Sequence, residues 1–400
     1  MPVLALPFGS IIDVPTARIL ARDDAGTGAA EALTNLQLFA ILGTGTPDAT
    51  TYLRGDGTWS TVTAGVGGST GSVDNAVLRA DGTGGATLQA SSIIITDNYT
   101  SSPNATVNHA SLQATGATTN VSVSIVPKGT GSFSLQVPDG TAAGGNVRGA
   151  NAVDLQTSRT AAAQAATGTA SVVLGGQRNT STGMCSISGG LGCSATAEGA
   201  VAVGVLTQAT INAAFAAGQS SEASSYASVA LGYEVVAAAW FSFASGLRSR
   251  TNIAGSKVHA AGRFSANGDT QAIEMPPLRG QTTDGVTAVN LLANIFDGTT
   301  QEGWSIASGR VFTLLLQITG VKNGGGTVAR FTREVTVKNV SNTVTLVGTV
   351  NTIGTDEAAG TSVSVAEDNT NKRLQVAPIG VANETWRWQC IARGGQISFG

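Results

Sequence analysis

Ser228-Val229-Ala230-Leu231-Gly232 follows Ala214-Phe215-Ala216-Ala217-Gly218 and Ala200-Val201-Ala202-Val203-Gly204 at a constant interval of fourteen residues, and this repetition decides the fold. Glycine returns at the same interval at Gly176, Gly190, Gly204, Gly218, Gly232 and Gly246. A short fixed period of this kind, over residues 170–262, predicts stacked coils and not a globular core. Three residues before each glycine stands a large apolar column, Val173, Ile187, Val201, Phe215, Val229 and Phe243. Two before it stand Ser188, Ala202, Ala216, Ala230 and Ala244, so the two columns face opposite sides of a strand. A second small column, Ser181, Ala195, Ala209, Ala223 and Ala237, comes five residues after each glycine, giving two strands and two turns per repeat. Two facing alanine and serine columns leave a thin interior that cannot house the large column. Its burial requires further copies of the chain around an axis, an obligate homo-oligomer.

These runs, with a small residue midway between successive glycines, resemble the head repeats of trimeric autotransporter adhesins. The resemblance implies a left-handed β-roll and a homotrimer. It breaks after Gly246, where Val258-His259-Ala260-Ala261-Gly262 places its glycine two residues late, so a distorted last coil or an exit segment is expected.

The composition agrees with an elongated, turn-dense β protein. The 400 residues include 52 glycines and only 12% charged side chains. A formal net charge of −3 supports neither nucleic acid nor an anionic membrane as a partner. Three cysteines, Cys185, Cys193 and Cys390, make no disulfide framework and fit assembly in a reducing bacterial cytoplasm; Cys185 and Cys193, eight residues apart in one coil, are expected to be small wall residues. The N-terminal residues lack the basic and apolar blocks of an export signal, and no stretch reaches the length of a membrane span. An export signal and a membrane barrel are needed by a true autotransporter, so only the roll is matched.

Along the chain, residues 1–45 contain one helical candidate, Ala29 to Leu42, with an apolar stripe through Leu33, Leu36 and Phe39 or Ile41. Arg18 to Gly28 and Glu31-Ala32-Leu33-Thr34 resemble N-terminal segments of bacteriophage tail fibre proteins. Residues 46–160 carry a near repeat, Tyr52-Leu53-Arg54-Gly55-Asp56-Gly57-Thr58-Trp59 and Val77-Leu78-Arg79-Ala80-Asp81-Gly82-Thr83-Gly84, in which Asp-Gly predicts a hairpin turn. Tail fibre shafts carry similar motifs. The alternating run Val121 to Ile125 precedes a turn at Val126 to Gly131, and Gly145 to Gln156 looks like the segment that introduces the roll in phage fibres. After residue 265, strands are expected at Val311–Ile318, Val328–Val337, Val344–Val350, Val363–Val365, Leu374–Val376 and Trp386–Ile391, a β-sandwich or jelly roll. Gly268 to Gln271, Leu278 to Asp284, Ala366 to Asn371 and Trp386-Arg387-Trp388 resemble the C-terminal domain of phage tail fibres.

No cysteine or histidine cluster has metal-ligand spacing, no phosphate-binding glycine loop opens a helix, and His109 and His259 are the only histidines. No catalytic residue, metal or cofactor is assigned, and the chain is expected not to be an enzyme. Paired-carboxylate glycoside hydrolysis is the one chemistry left open, but Glu357, Glu367 and Asp368 lie near turns, where solvated carboxylates are ordinary. His259 falls in the large apolar column if the last coil keeps register, which in a trimer brings three imidazoles to the axis; a packed histidine is the plainer alternative. Tyr226 and Trp240, eight residues after successive glycines, are expected outside the roll about one coil apart, roughly 4.8 Å. With Trp386 and Trp388, on one face of a strand, they are the candidate sugar-stacking residues; the competing readings are cover by the shaft or a neighbouring protein for Tyr226 and Trp240, and core or trimer-interface packing for Trp386 and Trp388.

The sequence therefore predicts an all-β homotrimer: a virion-attachment segment (1–45), a β-rich shaft (46–160), a fourteen-residue-repeat β-roll (161–264) and a C-terminal β-sandwich (265–400). The function these resemblances imply is that of a phage tail fibre. Its N-terminus would hold a tail or baseplate protein, and its C-terminal tip a glycan or envelope protein of the bacterial surface. A head fibre or baseplate component without a receptor, and a glycan-cleaving tailspike, are the alternatives.

Overall fold

The computed structural model describes residues 19–21, 31–33, 42–44, 51–61, 76–81, 87–96, 111–114, 120, 122–294 and 301–399. The elements it assigns are all strands. The chain divides into two compact units, Met1–Ile125 and Val126–Gly400.

The first unit holds small antiparallel sheets. Ile19–Ala21 pairs with Glu31–Leu33, which corrects the start of the helix expected over 29–42. So short a helix is marginal alone, whereas a strand pair satisfies its backbone locally. Of the remainder of that stretch only Leu42 is described, in helical conformation; residues 34–41 lie outside the described residues. The Asp56-Gly57 turn is present. Thr51–Leu53 pairs with Trp59–Thr61, Gly57 takes φ 76°, and the Asp56 carboxylate accepts from Thr58 N at 3.1 Å and Thr58 Oγ1 at 2.7 Å. Its echo also joins an antiparallel pair, Ala76–Asp81 with Thr87–Thr96, although residues 82–86 lie outside the described residues.

The second unit is built on a parallel β-solenoid. Val172–Gln177, Ile187–Leu191, Val201–Val205, Phe215–Gln219, Val229–Tyr233, Phe243–Leu247 and Lys257–Ala261 stack in sequence order into one ladder. The short strands Thr180–Ser181, Ser194–Ala195, Gln208–Ala209, Glu222–Ala223, Val236–Ala237 and Arg250–Thr251 form a second. Pairing follows the repeat, Val201 with Phe215 and Gly204 with Gly218. The glycine column has a steric cause. At Gly204, φ is 123°, and a Cβ would lie 2.0 Å from the Gly218 carbonyl oxygen. Two further corners of the coils are left-handed, most of them without glycine: Leu206, Ser220 and Glu234 at one, following Gly192, and Ala213, Ala227 and Phe241 at the other, between Gly199 and Gly255.

Four small columns, not two, fill the interior. Ala202, Ala216, Ala230 and Ala244 face Ala195, Ala209, Ala223 and Ala237, and the corners add Ala200, Ala214, Ser228 and Ser242 on one side and Cys193, Thr207, Ser221 and Val235 on the other, all buried. Two corner serines donate to carbonyls, Ser228 Oγ to Ser225 O at 2.7 Å and Ser221 Oγ to Gly232 O at 2.8 Å, which offsets their desolvation, whereas the buried hydroxyls of Ser188 and Thr207 have no partner among the described residues. Cys185 occupies an exposed left-handed corner, so it is not the interior wall residue its spacing predicts.

Both ends of the solenoid depart from the expected register. At the start, Val172 and not Val173 pairs with Ile187, and the register shifts before Gly176, where the Gly175-Gly176 pair absorbs one extra residue. Val173 is therefore fully buried in the inner column and is removed from the expected trimer interface. At the other end the last coil is regular: Phe243 pairs with Lys257, Ser245 with His259 and Gly246 with Ala260. Alanine can take the glycine place because no further parallel coil stacks on it. The next strand, Thr270–Glu274, pairs antiparallel. His259 thus lies beside the large column, whose last place Lys257 fills.

Val153–Asp154 forms the layer before the first coil, which places Asp154 where later coils carry small apolar residues. Its fully buried carboxylate lies 2.9 Å from Arg148 Nε and 2.8 Å from Arg159 Nη2. Arg148 and Asp154 of this polar layer belong to the segment expected to introduce the roll, and Arg159 follows it. The described residues of the alternating run before that segment, 122–125, form no strand, and Val123, Ile125 and Val126 are exposed.

Beyond the last coil the solenoid sheet continues into antiparallel strands. Thr270–Glu274 pairs with Trp386–Ser398, which pairs with Arg310–Lys322 and, through it, Val328–Val340. A three-stranded sheet of Trp304–Ser305, Arg373–Ile379 and Ser362–Asp368 lies beside it. Trp304, Phe312, Leu314, Leu316, Leu374 and Trp386 are buried in one apolar cluster drawn from both sheets. The alternating runs expected here are strands, several longer than their apolar cores, except that the run expected over Val344–Val350 ends at Leu346.

Candidate functional site

The large column faces outward. Ile187, Val201, Val229 and Phe243 are half-buried and Phe215 is 36% exposed, with Val203 and Leu231 in the adjacent row of the same face. At its end a cleft of about 350 Å³, lined by Phe243, His259, Ile273 and Arg393, adjoins the pairs Lys257–Glu274 at 3.7 Å and Arg393–Glu274 at 3.4 Å. Three imidazoles at the head of the large column are no longer implied, because Lys257 holds that place. Among the described residues no group of three or more histidine, cysteine or acidic side chains is placed to hold a metal. No described helix is long and apolar enough to cross a membrane.

The four aromatic candidates separate. Trp386 and Trp388 are buried, their rings stacked with centroids 5.9 Å apart, and Trp388 Nε1 donates to Thr282 Oγ1 at 3.0 Å. Neither ring offers a face to a sugar, which corrects their place in the stacking set. Their share of one strand face, read from spacing, is the inner face. Tyr226 and Trp240 are 39% and 47% exposed. The Tyr226 ring meets Phe241 edge-on, with centroids 5.6 Å apart.

Trp240 lines a cleft of about 330 Å³ together with Ser225, Asn252, Glu302 and Ser305. Asn252, Ile253 and Ser305 also line a neighbouring cleft of about 260 Å³, so the two form one groove where the solenoid's second ladder meets the C-terminal sheets. Each wall has a structural cause. Asn252 follows the last short strand, Arg250–Thr251. Ser305 is held by Trp304, whose buried indole donates to Pro276 O at 2.8 Å. Arg310 opens its long strand opposite Asn339, and the Ile306 N–H donates to Lys372 O at 2.8 Å.

The second cleft is polar and basic. Arg310, Lys372, Ser308 and the amides of Asn339, Asn342 and Asn371 line it. Burial, with Arg250 as a second cause, holds the Arg310 guanidinium below its ordinary pKa. Arginine nevertheless stays charged at neutral pH. With its amide oxygen turned to Arg310, Asn252 accepts from Nη2 at 2.8 Å and Nη1 at 3.0 Å; turned the other way, the oxygen lies 3.4 Å from Arg250 Nε. Asn339 is buried, donates through Nδ2 to Ile306 O at 2.5 Å, and its Oδ1 has no donor among the described residues. Of the groove residues the sequence predicts only Trp240. The others come from segments far apart in the chain and form no motif.

No protein-family model matches the chain, and no curated protein matches it. Among solved structures it is similar to the tailspike protein gp49 from Acinetobacter baumannii bacteriophage Fri1, a capsular polysaccharide depolymerase. The identity is 9%, the match covers 67% of this chain and 44% of that one, and the TM-score is 0.20. The chain therefore matches less than half the length of that protein. Because that protein is a depolymerase, the expectation that this chain is not an enzyme is withdrawn; a likeness of this degree assigns it no chemistry.

Proposed function

We propose that the chain is a bacteriophage tail fibre, a homotrimeric virion protein that attaches to a glycan on the bacterial surface. The observation that carries this is the groove running from Trp240 to Lys372. It combines an exposed indole, on which the C–H face of a sugar can pack, with the asparagine and serine groups that read hydroxyls. The phage setting is supported by the fibre-like motifs at 18–34, 52–84, 145–156 and 268–284. Trimerisation is supported by the outward apolar rows of the solenoid, which one chain leaves half-exposed. Three grooves on one particle would sum weak contacts into firm attachment.

In this proposal residues 1–45 hold the virion, 46–160 form the shaft, and the solenoid with residues 265–400 presents the grooves at the distal end. Preincubating host cells with purified full-length chain should block phage adsorption, and Trp240→Ala should raise the concentration needed about tenfold, as for loss of one stacking contact. Equal blocking by the variant would remove the groove from attachment. No blocking by either chain would favour a structural virion component without a receptor. Oligosaccharide release, followed in the same samples, reads whether binding proceeds to cleavage.

A further inference from the structure

We infer that the Arg310 end of the groove is an anion subsite that holds the carboxylate of an acidic sugar. The choice of a sugar acid over a free anion rests on the glycan reading of the groove.

The argument begins with pairing. Elsewhere in this unit, guanidiniums at or near burial have carboxylate partners: Arg148 and Arg159 share Asp154, Arg333 meets Asp356 at 2.6 Å, and Arg373 meets Asp368 at 2.8 Å. Arg310, partly buried, has no carboxylate partner among the described residues, and its charged neighbour is a second cation, Arg250. Lys372 lines the same cleft, while Glu302 lines only the Trp240 cleft. Two guanidiniums contest the one oxygen of Asn252, so either orientation of that amide leaves one of them without this acceptor. The buried Asn339 adds an oxygen without a donor to the same wall.

One ligand chemistry answers these requirements together. A carboxylate supplies two acceptor oxygens to the planar fork of Arg310 and a counter-charge for Arg250 and Lys372. The hydroxyls of the sugar that bears it donate to amide oxygens, as at Asn342 and Asn371, and accept from their NH₂ groups. A neutral sugar answers the amides but leaves the cationic cluster uncompensated. A bare anion answers the cations but not the amides.

The test titrates the full-length chain with D-glucuronate, D-glucose and inorganic phosphate, each followed by ligand-observed NMR. Glucuronate should bind at millimolar concentration and at least about tenfold more tightly than glucose, as for one charge-assisted contact. Arg310→Gln should abolish that preference. Arg250→Gln, at an exposed position, should weaken it while leaving the unfolding temperature unchanged, which guards against misfolding of the first variant. Equal binding of glucuronate and glucose, or a preference that survives both substitutions, would overturn the inference. Phosphate bound as tightly as glucuronate would reduce the subsite to an adventitious ion only. Adsorption blocking that depends on Trp240, without a glucuronate preference, would leave attachment standing and this inference refuted. The reverse pattern would leave the subsite standing and refute attachment.

Discussion

Replacing Gly218 by alanine should damage the solenoid far more than the same change at Gly199, although both are glycines with positive φ. At Gly218, φ is 113° and the new Cβ would lie 2.0 Å from the Gly232 carbonyl oxygen, where real Cβ atoms do not come within 3.0 Å. The backbone conformation alone costs about 1–3 kcal/mol for a residue with a Cβ. Relieving the overlap means moving two coils apart by about an ångström, at the expense of one or two ladder hydrogen bonds worth about 1 kcal/mol each. The total is roughly 2–5 kcal/mol. At Gly199, φ is 63° and nothing lies within 4 Å of the added atom. Ala213 and Ala227 occupy the equivalent corner of later coils at φ 56° and 49°, so the cost there is at most about 1 kcal/mol. Thermal unfolding of the full-length proteins followed by circular dichroism should show the solenoid transition lowered by roughly 4–10 °C for Gly218→Ala, and by about 2 °C or less for Gly199→Ala, at about 2 °C per kcal/mol. Equal shifts would show that the glycine column is not set by contact between coils.

Three further outcomes follow from other parts of the molecule. Val229→Glu places one carboxylate per chain on the half-buried outward column, and should dissociate the proposed trimer in size-exclusion chromatography while the isolated chain keeps its β circular dichroism. Asp154→Asn leaves Arg148 and Arg159 buried without their counter-charge and should cost about 3–5 kcal/mol, read as a fall in the urea midpoint; an unchanged midpoint would refute the polar layer's role. Hydrogen bonds from Asn371, then Arg373, hold the Asp368 carboxyl at a pKa of about 2, against an ordinary 3.8. A depressed pKa contributes stability that is fully present above about pH 4 and is lost as pH falls through about 2, so Asp368→Asn should flatten the pH dependence of unfolding across that window.

The solenoid was legible in the sequence because its period is enforced by one steric requirement, a backbone that tolerates no Cβ at Gly204 or Gly218. Its first and last coils were misread where that requirement changes. Gly175-Gly176 inserts a residue, and Ala260 needs no glycine because nothing parallel stacks beyond it. The left-handed corners at Leu206 and Phe241 were illegible because non-glycine residues occupy them. The strands after residue 265 show their alternation, but period two does not say which face is inside, so core packing and a sugar-stacking surface both stay open for Trp386 and Trp388 until the structure makes them core. The groove was beyond sequence reasoning. Asn252, Ser305, Arg310, Asn339 and Lys372 meet only because the last coil abuts two different sheets.

The outward column of Ile187, Val201, Phe215, Val229 and Phe243 is the feature on which a trimeric attachment fibre stands or falls, and its burial can be measured as mass. The full-length chain has a mass of 40.0 kDa. Multi-angle light scattering at micromolar concentration should give three times that value, unchanged on dilution. A monodisperse species at the single-chain mass, with the column left in water, would contradict the account.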